Sequence, residues 1–94
     1  MYQIEFTPKA VQGALNLKKS EPQAYKKLEK LILELQEHPT TGTGQVEALK
    51  GDKSGLWSRR ITSKHRLIYS VNGIEIKVVI ISTYGPVSYT HLRA

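Results

Sequence analysis

A run of basic residues in the second half of the chain has the composition and spacing to hold an anion. Residues 56–70 read LWSRRITSKHRLIYS, with apolar side chains at strand spacing among the charges. Side chains alternate along a strand, so Arg60 should lie on one face and Arg59 on the other. If residues 63–65 form the connecting loop, Arg60 and Arg66 point the same way as diagonal neighbours, roughly 5–8 Å apart. A phosphodiester suits that gap, because each guanidinium presents a planar fork of donors to phosphate oxygens.

A carboxylate on the neighbouring predicted strand adds a proton acceptor to this arginine pair. Glu47 lies in the segment VEALK, residues 46–50. A carboxylate beside two arginines can deprotonate a nucleophile while the arginines stabilise charge that develops on a phosphate. These three residues need no metal ion or other cofactor for this chemistry. They predict RNA cleavage by attack of the ribose 2′-hydroxyl. The alternative is that the hairpin charges are a solvated face, paired with Glu47, Asp52 or Glu75.

Two helices should precede this hairpin. Thr7-Pro8 predicts the start of the first helix, with threonine as N-cap and proline as first residue. Ser20, answered by Gln23, predicts a capping box for the second, and His38-Pro39 predicts its end. Apolar residues at helical spacing mark one face of each helix: Ala10, Val11, Ala14, Leu15 and Leu17 in the first, and Tyr25, Leu28, Leu31, Ile32 and Leu35 in the second.

The remaining segments are typical of strands: residues 2–6, 45–50, 56–62, 66–72 and 74–83. Asn72-Gly73 predicts a tight turn between the last two, and the apolar run VVII, residues 78–81, predicts burial on both faces. The order predicts an α+β fold, in which an N-terminal strand and a two-helix hairpin precede an antiparallel β-meander, with the helices on one face of the sheet.

Composition narrows the class of partner and the class of site. Ninety-four residues make one domain, and a net charge of +6 favours a polyanionic partner, nucleic acid before an acidic protein or an anionic membrane. The chain has no cysteine, which excludes disulfides and cysteine-type zinc sites, and its three histidines are too far apart for a local metal site. With no long apolar run and no signal-peptide core, we expect a soluble cytoplasmic protein without a membrane partner.

Three segments carry a resemblance to a known family: GxxExLK at residues 44–50, SGLWSRRIT at 54–62 and HRLIY at 65–69. They resemble the YoeB/Txe group of the RelE/ParE toxin superfamily, and the similarity in length and element order covers residues 1–85. The resemblance implies a microbial-ribonuclease-like sheet and the toxin of a type II toxin–antitoxin pair, a ribosome-dependent endoribonuclease that cuts messenger RNA. It also implies an acidic, partly disordered antitoxin of the YefM/Axe kind, and leaves open whether the toxin is a monomer or a homodimer.

The same resemblance assigns roles to individual residues. Glu47 matches the general base that deprotonates the ribose 2′-hydroxyl, and Arg60 and Arg66 match the arginines that hold the scissile phosphate. Lys50, Arg59, His65 and Tyr84 are implied to contact RNA or the ribosome. The implied products are a 2′,3′-cyclic phosphate and a new 5′-hydroxyl end.

The last nine residues, 86–94, depart from the family pattern. A His-Tyr pair typically ends the last strand of the family, and Pro86-Val87 stands in its place here. The resemblance implies that the missing histidine is the general acid that protonates the leaving 5′-oxygen and that the tyrosine orients the RNA. Because general-acid catalysis is worth about 10²–10⁴-fold, we expect RNA cleavage by the chain as written to be impaired. Either His91 or Tyr89 reaches back to the site, or the tail is foreign sequence joined to a truncated gene. We favour the second, because the similarity stops abruptly and the tail continues no predicted element.

Two other functions fit parts of the sequence. A toxin remnant that binds antitoxin or ribosome without catalysis agrees with the missing His-Tyr pair. A basic DNA-binding regulator agrees with the charge, although no helix-turn-helix pattern supports it.

Overall fold

In the computed structural model, which describes residues 1–42, 46–49 and 55–84, a two-helix hairpin packs on one face of a five-stranded sheet. The predicted α+β fold and element order are confirmed. Along the chain the elements are β1 (Gln3–Phe6), α1 (Pro8–Ser20), α2 (Pro22–Glu37), β2 (Glu47–Ala48), β3 (Leu56–Arg60), β4 (Arg66–Asn72) and β5 (Lys77–Ser82).

The sheet has the strand order β1-β5-β4-β3-β2. Strands β2 to β5 form the predicted antiparallel meander. Strand β1 joins it parallel to β5, with Gln3 opposite Lys77 and Phe6 opposite Ile80. A parallel neighbour requires a long crossover between β1 and the rest of the sheet, and the helical hairpin lies within that crossover. In this strand order, β3 and β4 lie between the edge strand β2 and the buried strand β5.

The helix ends are set by local side chains, mostly as predicted. Thr7 is the N-cap of α1, and its Oγ1 accepts a hydrogen bond of 3.1 Å from the Ala10 amide. Helix α2 ends at Glu37, just before His38 and Pro39. The predicted Ser20 cap is wrong: Ser20 is the last residue of α1, and its hydroxyl donates to the Asn16 carbonyl, 2.7 Å away. A serine hydroxyl that bonds back along its own helix is not available to cap the next one.

The face of α1 that packs on the sheet differs from the predicted apolar stripe. Its buried residues are Ala10, Gly13 and Leu17, whereas Val11 and Leu15 are exposed, which corrects the predicted core face. A Cβ atom added to Gly13 would lie 2.6 Å from the Thr83 hydroxyl oxygen, too close for any real contact. The face of α1 with Ala10, Gly13 and Leu17 is therefore the packed one, and Val11 and Leu15 lie outside it.

The turn between β4 and β5 is longer than predicted. Asn72 pairs with Lys77, so four residues rather than two connect the strands. The Asn72 side-chain oxygen accepts hydrogen bonds from the amides of Ile74 and Glu75, each 2.9 Å, and builds the turn itself. The positive φ falls at Ile76 (54°). Strand β5 consequently begins at Lys77, and the predicted burial on both of its faces is only partial, because residues 79 and 81 are half-buried.

Candidate active site

Arg60 and Arg66 are direct cross-strand partners in the β3–β4 hairpin. Arg60 ends β3, Arg66 begins β4, and the two residues face each other in the antiparallel register. The predicted diagonal register is wrong by two residues, although both arginines do point to the same face. Directly opposed side chains have Cβ atoms about 4.5–5.5 Å apart, and like charges in such a pair repel each other. The corrected register strengthens the need for an anion or a carboxylate between them.

The hairpin turn explains the shift in register. It spans five residues, 61–65, instead of the predicted three. The amides of Ile61 and Thr62 both donate to the His65 carbonyl, at 3.0 and 3.1 Å. The Thr62 hydroxyl accepts from the amides of Lys64 and His65, at 3.1 and 3.2 Å. A threonine hydroxyl that bonds its own following backbone stabilises a turn at this point, so the ladder stops at Arg60.

Glu47 reaches the arginine pair from the edge strand. Glu47 lies opposite Ser58 in the β2–β3 register, and Ser58 lies on the same face of β3 as Arg60. The Arg66 Nη2 atom is 3.2 Å from Glu47 Oε1 and 3.2 Å from Ser58 Oγ. The side chain of Glu47 is 65% exposed and that of Arg66 is 18% exposed. The three residues predicted to act together therefore lie on one solvent-facing surface, which we call the outer face of the hairpin.

The outer face has the groups needed to act on a phosphate ester. Two guanidinium cations and one carboxylate leave a formal charge of +1 on Arg60, Arg66 and Glu47. The buried Ser58 hydroxyl accepts a hydrogen bond from the Arg66 guanidinium and so fixes its orientation. The Glu47 carboxylate is exposed to any ligand that lies over the arginines. An ion pair with Glu47 was also expected of a plain solvated face, so the pair alone does not separate the two interpretations.

Arg59 lies in the interior, which is at odds with its expected contact to RNA. Its side chain has no exposed surface. Nε donates to the Tyr69 hydroxyl at 3.0 Å, Nη1 donates to Glu34 Oε1 at 2.5 Å, and Nη2 donates to the carbonyls of His38 and Thr41. Strand alternation directs Arg59 toward the helices because Arg60 faces solvent. An enclosed guanidinium of this kind serves the fold, not an RNA at the surface.

Tyr69 completes the cluster around Arg59. Its hydroxyl accepts from Arg59 and donates to the Pro39 carbonyl at 2.7 Å. Burial raises the pKa of the Tyr69 phenol, and the hydrogen bond from Arg59 only partly offsets this. Tyr69 therefore stays protonated and bridges strand β4 to the segment that follows α2.

His65 is also enclosed, between the helical layer and Tyr84. Its Nε2 atom lies 2.6 Å from Glu21 Oε2, and its ring contacts Tyr84 with centroids 4.6 Å apart. The hydrogen bond with His65 holds the pKa of the Glu21 carboxyl below its usual value. The His65 side chain is 6% exposed, so its expected RNA contact does not fit its position. Tyr84 is 44% exposed, so its position leaves the expected RNA contact open.

Lys50 and the tail residues Tyr89 and His91 lie outside the described residues.

The family model of the YoeB-like toxin of bacterial type II toxin–antitoxin systems matches residues 6–84. The chain belongs to this family. It is 36% identical to toxin YoeB of Streptomyces coelicolor over 76 residues, which cover 81% of this chain and 90% of that protein. It is 50% identical to toxin YoeB of Escherichia coli over 46 residues, 49% of this chain and 55% of that one. The resemblance read from the three sequence segments is therefore confirmed.

Solved YoeB structures have the same fold. The YoeB/ParE toxin from Agrobacterium tumefaciens superposes with a TM-score of 0.84 at 30% identity, covering 89% of this chain and 98% of that one. A heterotetrameric YoeB–YefM toxin–antitoxin complex from Staphylococcus aureus gives a TM-score of 0.79 at 28% identity, covering 92% of this chain and 98% of that one.

Sequence reasoning missed two residues that support the site in this YoeB-like toxin. Ser58 lies two residues before Arg60, and strand parity was the available indication that it could bond an arginine on that face. Glu34, the partner of Arg59, lies 25 residues away on α2. No local pattern links the two, because only the packing of α2 on the sheet brings them together.

Among the described residues, no group of three or more histidine, cysteine, aspartate or glutamate side chains could hold a metal ion. The same residues include no helix that is both long and apolar enough to cross a membrane.

Proposed function

We propose that this YoeB-like toxin is a ribosome-dependent endoribonuclease that cleaves messenger RNA by attack of a ribose 2′-hydroxyl on the adjacent phosphate. The observation that supports this most is the outer face itself. Arg60 lies directly opposite Arg66, and Glu47 lies 3.2 Å from the Arg66 guanidinium. A scissile phosphate over the arginines would offset their repulsion and bring its neighbouring ribose to the exposed carboxylate.

The reaction needs three tasks from the protein. Glu47 accepts the 2′-hydroxyl proton as the 2′-oxygen bonds to phosphorus. Arg60 and Arg66 donate hydrogen bonds to the phosphoryl oxygens, whose negative charge grows in the transition state. The bond from phosphorus to the 5′-oxygen then breaks, which leaves a 2′,3′-cyclic phosphate and a 5′-oxygen that takes up a proton. When phosphate displaces the Glu47 carboxylate from the Arg66 guanidinium, the Ser58 hydroxyl keeps that guanidinium oriented.

Protonation of the leaving oxygen is the step that we expect to be weak. The family resemblance assigns it to the histidine of a terminal His-Tyr pair, and the sequence has Pro86-Val87 there. Loss of a general acid slows such reactions by about 10²–10⁴-fold. This expectation favours a second candidate function, a toxin remnant that binds antitoxin or ribosome without cleaving RNA.

The proposed partners follow from the family and from charge. The Staphylococcus aureus relative forms a complex with the antitoxin YefM, and it has also been solved as a YoeB dimer. We expect this chain, with its net charge of +6, to bind an acidic, partly disordered antitoxin that folds on binding. The ribosome and messenger RNA are the proposed partners when the antitoxin is absent.

A translated reporter messenger RNA tests these proposals. We expect little or no cleavage by the chain as written, and cleavage when Pro86→His and Val87→Tyr are introduced together. Adding Glu47→Gln or Arg66→Ala should lower the restored cleavage by about 10²-fold or more, to a residual rate that can still be measured. Glu75→Gln is the matched control, because it removes an exposed carboxylate at the far β4–β5 turn.

Three outcomes would decide against parts of this account. Persistent binding to the ribosome without cleavage in any variant supports the non-catalytic remnant. Strong cleavage by the unmodified chain shows that the tail supplies its own acid. Equal loss in Glu47→Gln and Glu75→Gln removes the role of Glu47 as general base.

A further inference from the structure

The buried arginine of β3 fastens the segment that follows α2 to the sheet. Arg59 Nη2 donates to the carbonyls of His38 and Thr41, the latter at 2.7 Å, and Nη1 donates to Glu34 in the last turns of α2. Burying a charge is costly unless it is paired and hydrogen-bonded. Because its partners include the main-chain carbonyls of His38 and Thr41, Arg59 fixes the path of the backbone between them.

The rest of the cluster allows this segment little freedom. The Tyr69 hydroxyl donates to the Pro39 carbonyl at 2.7 Å, which adds a second tie from the sheet. Gly42 has a φ of 114°, and a Cβ atom on it would collide with the Glu34 carboxylate. Glycine is therefore required where the chain leaves the cluster. Residues 38–42, held by Arg59, Glu34 and Tyr69, are called the clamped segment below.

The clamped segment leads directly to the proposed general base. Four peptide units join Gly42 to Val46, so their Cα atoms lie at most about 14 Å apart. Strand β2, which carries Glu47, has only two residues, both exposed, and pairs on one side with β3. Beyond it, the Leu49 amide donates to the Leu56 carbonyl at 2.9 Å. A strand this short depends on both of its ends for position, and the clamped segment ends only four peptide units before Val46.

We propose that Arg59 is a positioning residue for the outer face. It holds the clamped segment, the segment sets the start of β2, and β2 places the Glu47 carboxylate beside Arg66. This inference rests on the proposed RNA cleavage, and it replaces the RNA contact expected of Arg59 with an action through Glu47. The adjacent arginines of β3 then serve one reaction from opposite faces, Arg60 by contacting phosphate and Arg59 by placing the base.

Amide hydrogen exchange on the full chain tests the placement without requiring activity. Arg59→Lys keeps the charge but cannot reach the same set of acceptors, and Tyr69→Phe removes one tie with almost no change in volume. In both variants we expect the Leu49 amide to exchange about tenfold faster relative to β4–β5 amides, as for the loss of one buried hydrogen bond. Ile80→Val is the matched control, because it weakens the core of β5 and leaves the clamped segment intact.

If Leu49 and the β4–β5 amides accelerate equally in Arg59→Lys, as they should in Ile80→Val, then Arg59 only stabilises the fold and the proposal is overturned.

Cleavage kinetics test the catalytic consequence, in the chain as written or in the Pro86→His/Val87→Tyr variant if only that one cleaves. Arg59→Lys should lower kcat about tenfold and leave KM within about twofold, because the RNA contacts of Arg60 and Arg66 remain. In a Glu47→Gln background the same substitution should cost nothing further, since residues that act through one another are not additive.

Additive losses contradict an action through Glu47. Absence of cleavage in every variant overturns the proposed function, and with it the catalytic role of Arg59, whereas the amide exchange reports separately on whether Arg59 holds β2 in place.

Discussion

Arg59 and Arg60 are adjacent in sequence, carry the same charge and end in opposite environments. Arg59 points to the interior, where Glu34, Tyr69 and main-chain carbonyls enclose its guanidinium. Arg60 points to solvent, opposite Arg66 on the outer face. Strand alternation alone separates them. A basic motif thus contains residues that build the fold and residues that can meet an anion, and parity along the strand assigns each to its class.

The energetic terms on the two faces differ as well. Removing one partner of a buried ion pair leaves an uncompensated charge in a region of low dielectric constant, which costs several kcal/mol. Exposed ion pairs such as that of Glu47 with Arg66 typically contribute about 0–1 kcal/mol. We call the opposite side of the hairpin, where Arg59 bonds to Glu34 and Tyr69, the inner face. It should therefore dominate stability, and the outer face should be open to substitution without loss of the fold.

The largest expected effect is on stability at the inner face. Arg59→Met should lower the free energy of unfolding by about 3–5 kcal/mol, because the Glu34 carboxylate and two carbonyls lose their donor. Arg60→Met should change it by no more than about 0.5 kcal/mol. Urea denaturation followed by circular dichroism measures both. Equal losses of unfolding free energy in Arg59→Met and Arg60→Met would contradict the difference between the two faces.

A smaller effect is expected when the inner cluster loses a hydroxyl but no charge. Tyr69→Phe should cost about 1–3 kcal/mol, since the Pro39 carbonyl and Arg59 Nε lose a buried partner. Tyr84→Phe is the control on an exposed ring, with an expected change within about 0.5 kcal/mol. The same denaturation experiment compares them, and a neutral Tyr69→Phe would show that water replaces the hydroxyl.

The smallest effect concerns the acid dependence of stability near the hairpin turn. The pKa of Glu21 is lowered in the folded state by its hydrogen bond with His65. Its stabilising contribution is therefore fully present above the ordinary carboxyl value of 4.5 and is lost as pH falls through the lower folded pKa.

The measurement is a pair of unfolding curves for the unmodified chain and Glu21→Gln as pH falls from about 6 to about 3. The stability advantage of the unmodified chain should shrink toward the acid end. An advantage that does not change with pH would show that the Glu21 carboxylate is not the group responsible.

Much of the fold could be predicted because its determinants are local. Thr7-Pro8 and His38-Pro39 mark helix ends through their own backbone chemistry, and the order of apolar segments gave the strands. Ser20 and Asn72-Gly73 misled for a related reason: the serine hydroxyl and the asparagine side chain bonded to nearer backbone groups than the patterns assume.

The candidate site was predictable only where strand parity decided the outcome. Parity brought Arg60 and Arg66 to one face despite the wrong register, and Glu47 joined them through β2. The environments of Arg59 and His65 were not predictable, since their partners Glu34 and Glu21 lie 25 and 44 residues away along the chain. Motif similarity gives every basic residue in the segment the same weight. Strand parity separates Arg59 from Arg60, and tertiary packing supplies the partners that enclose Arg59 and His65.

RNA affinity and stability, measured together on Arg59→Gln and Arg60→Gln, test the division between the two faces most directly. The ligand is a short single-stranded RNA with 2′-O-methyl riboses, which cannot react through the 2′-hydroxyl. Arg60→Gln should weaken binding and reduce the slope of log affinity against log salt by about 0.7, the loss of one phosphate contact, at an unchanged urea midpoint. Arg59→Gln should lower the midpoint and leave the affinity of its folded form unchanged. The reverse pattern, with RNA binding lost in Arg59→Gln and retained in Arg60→Gln, would contradict the account.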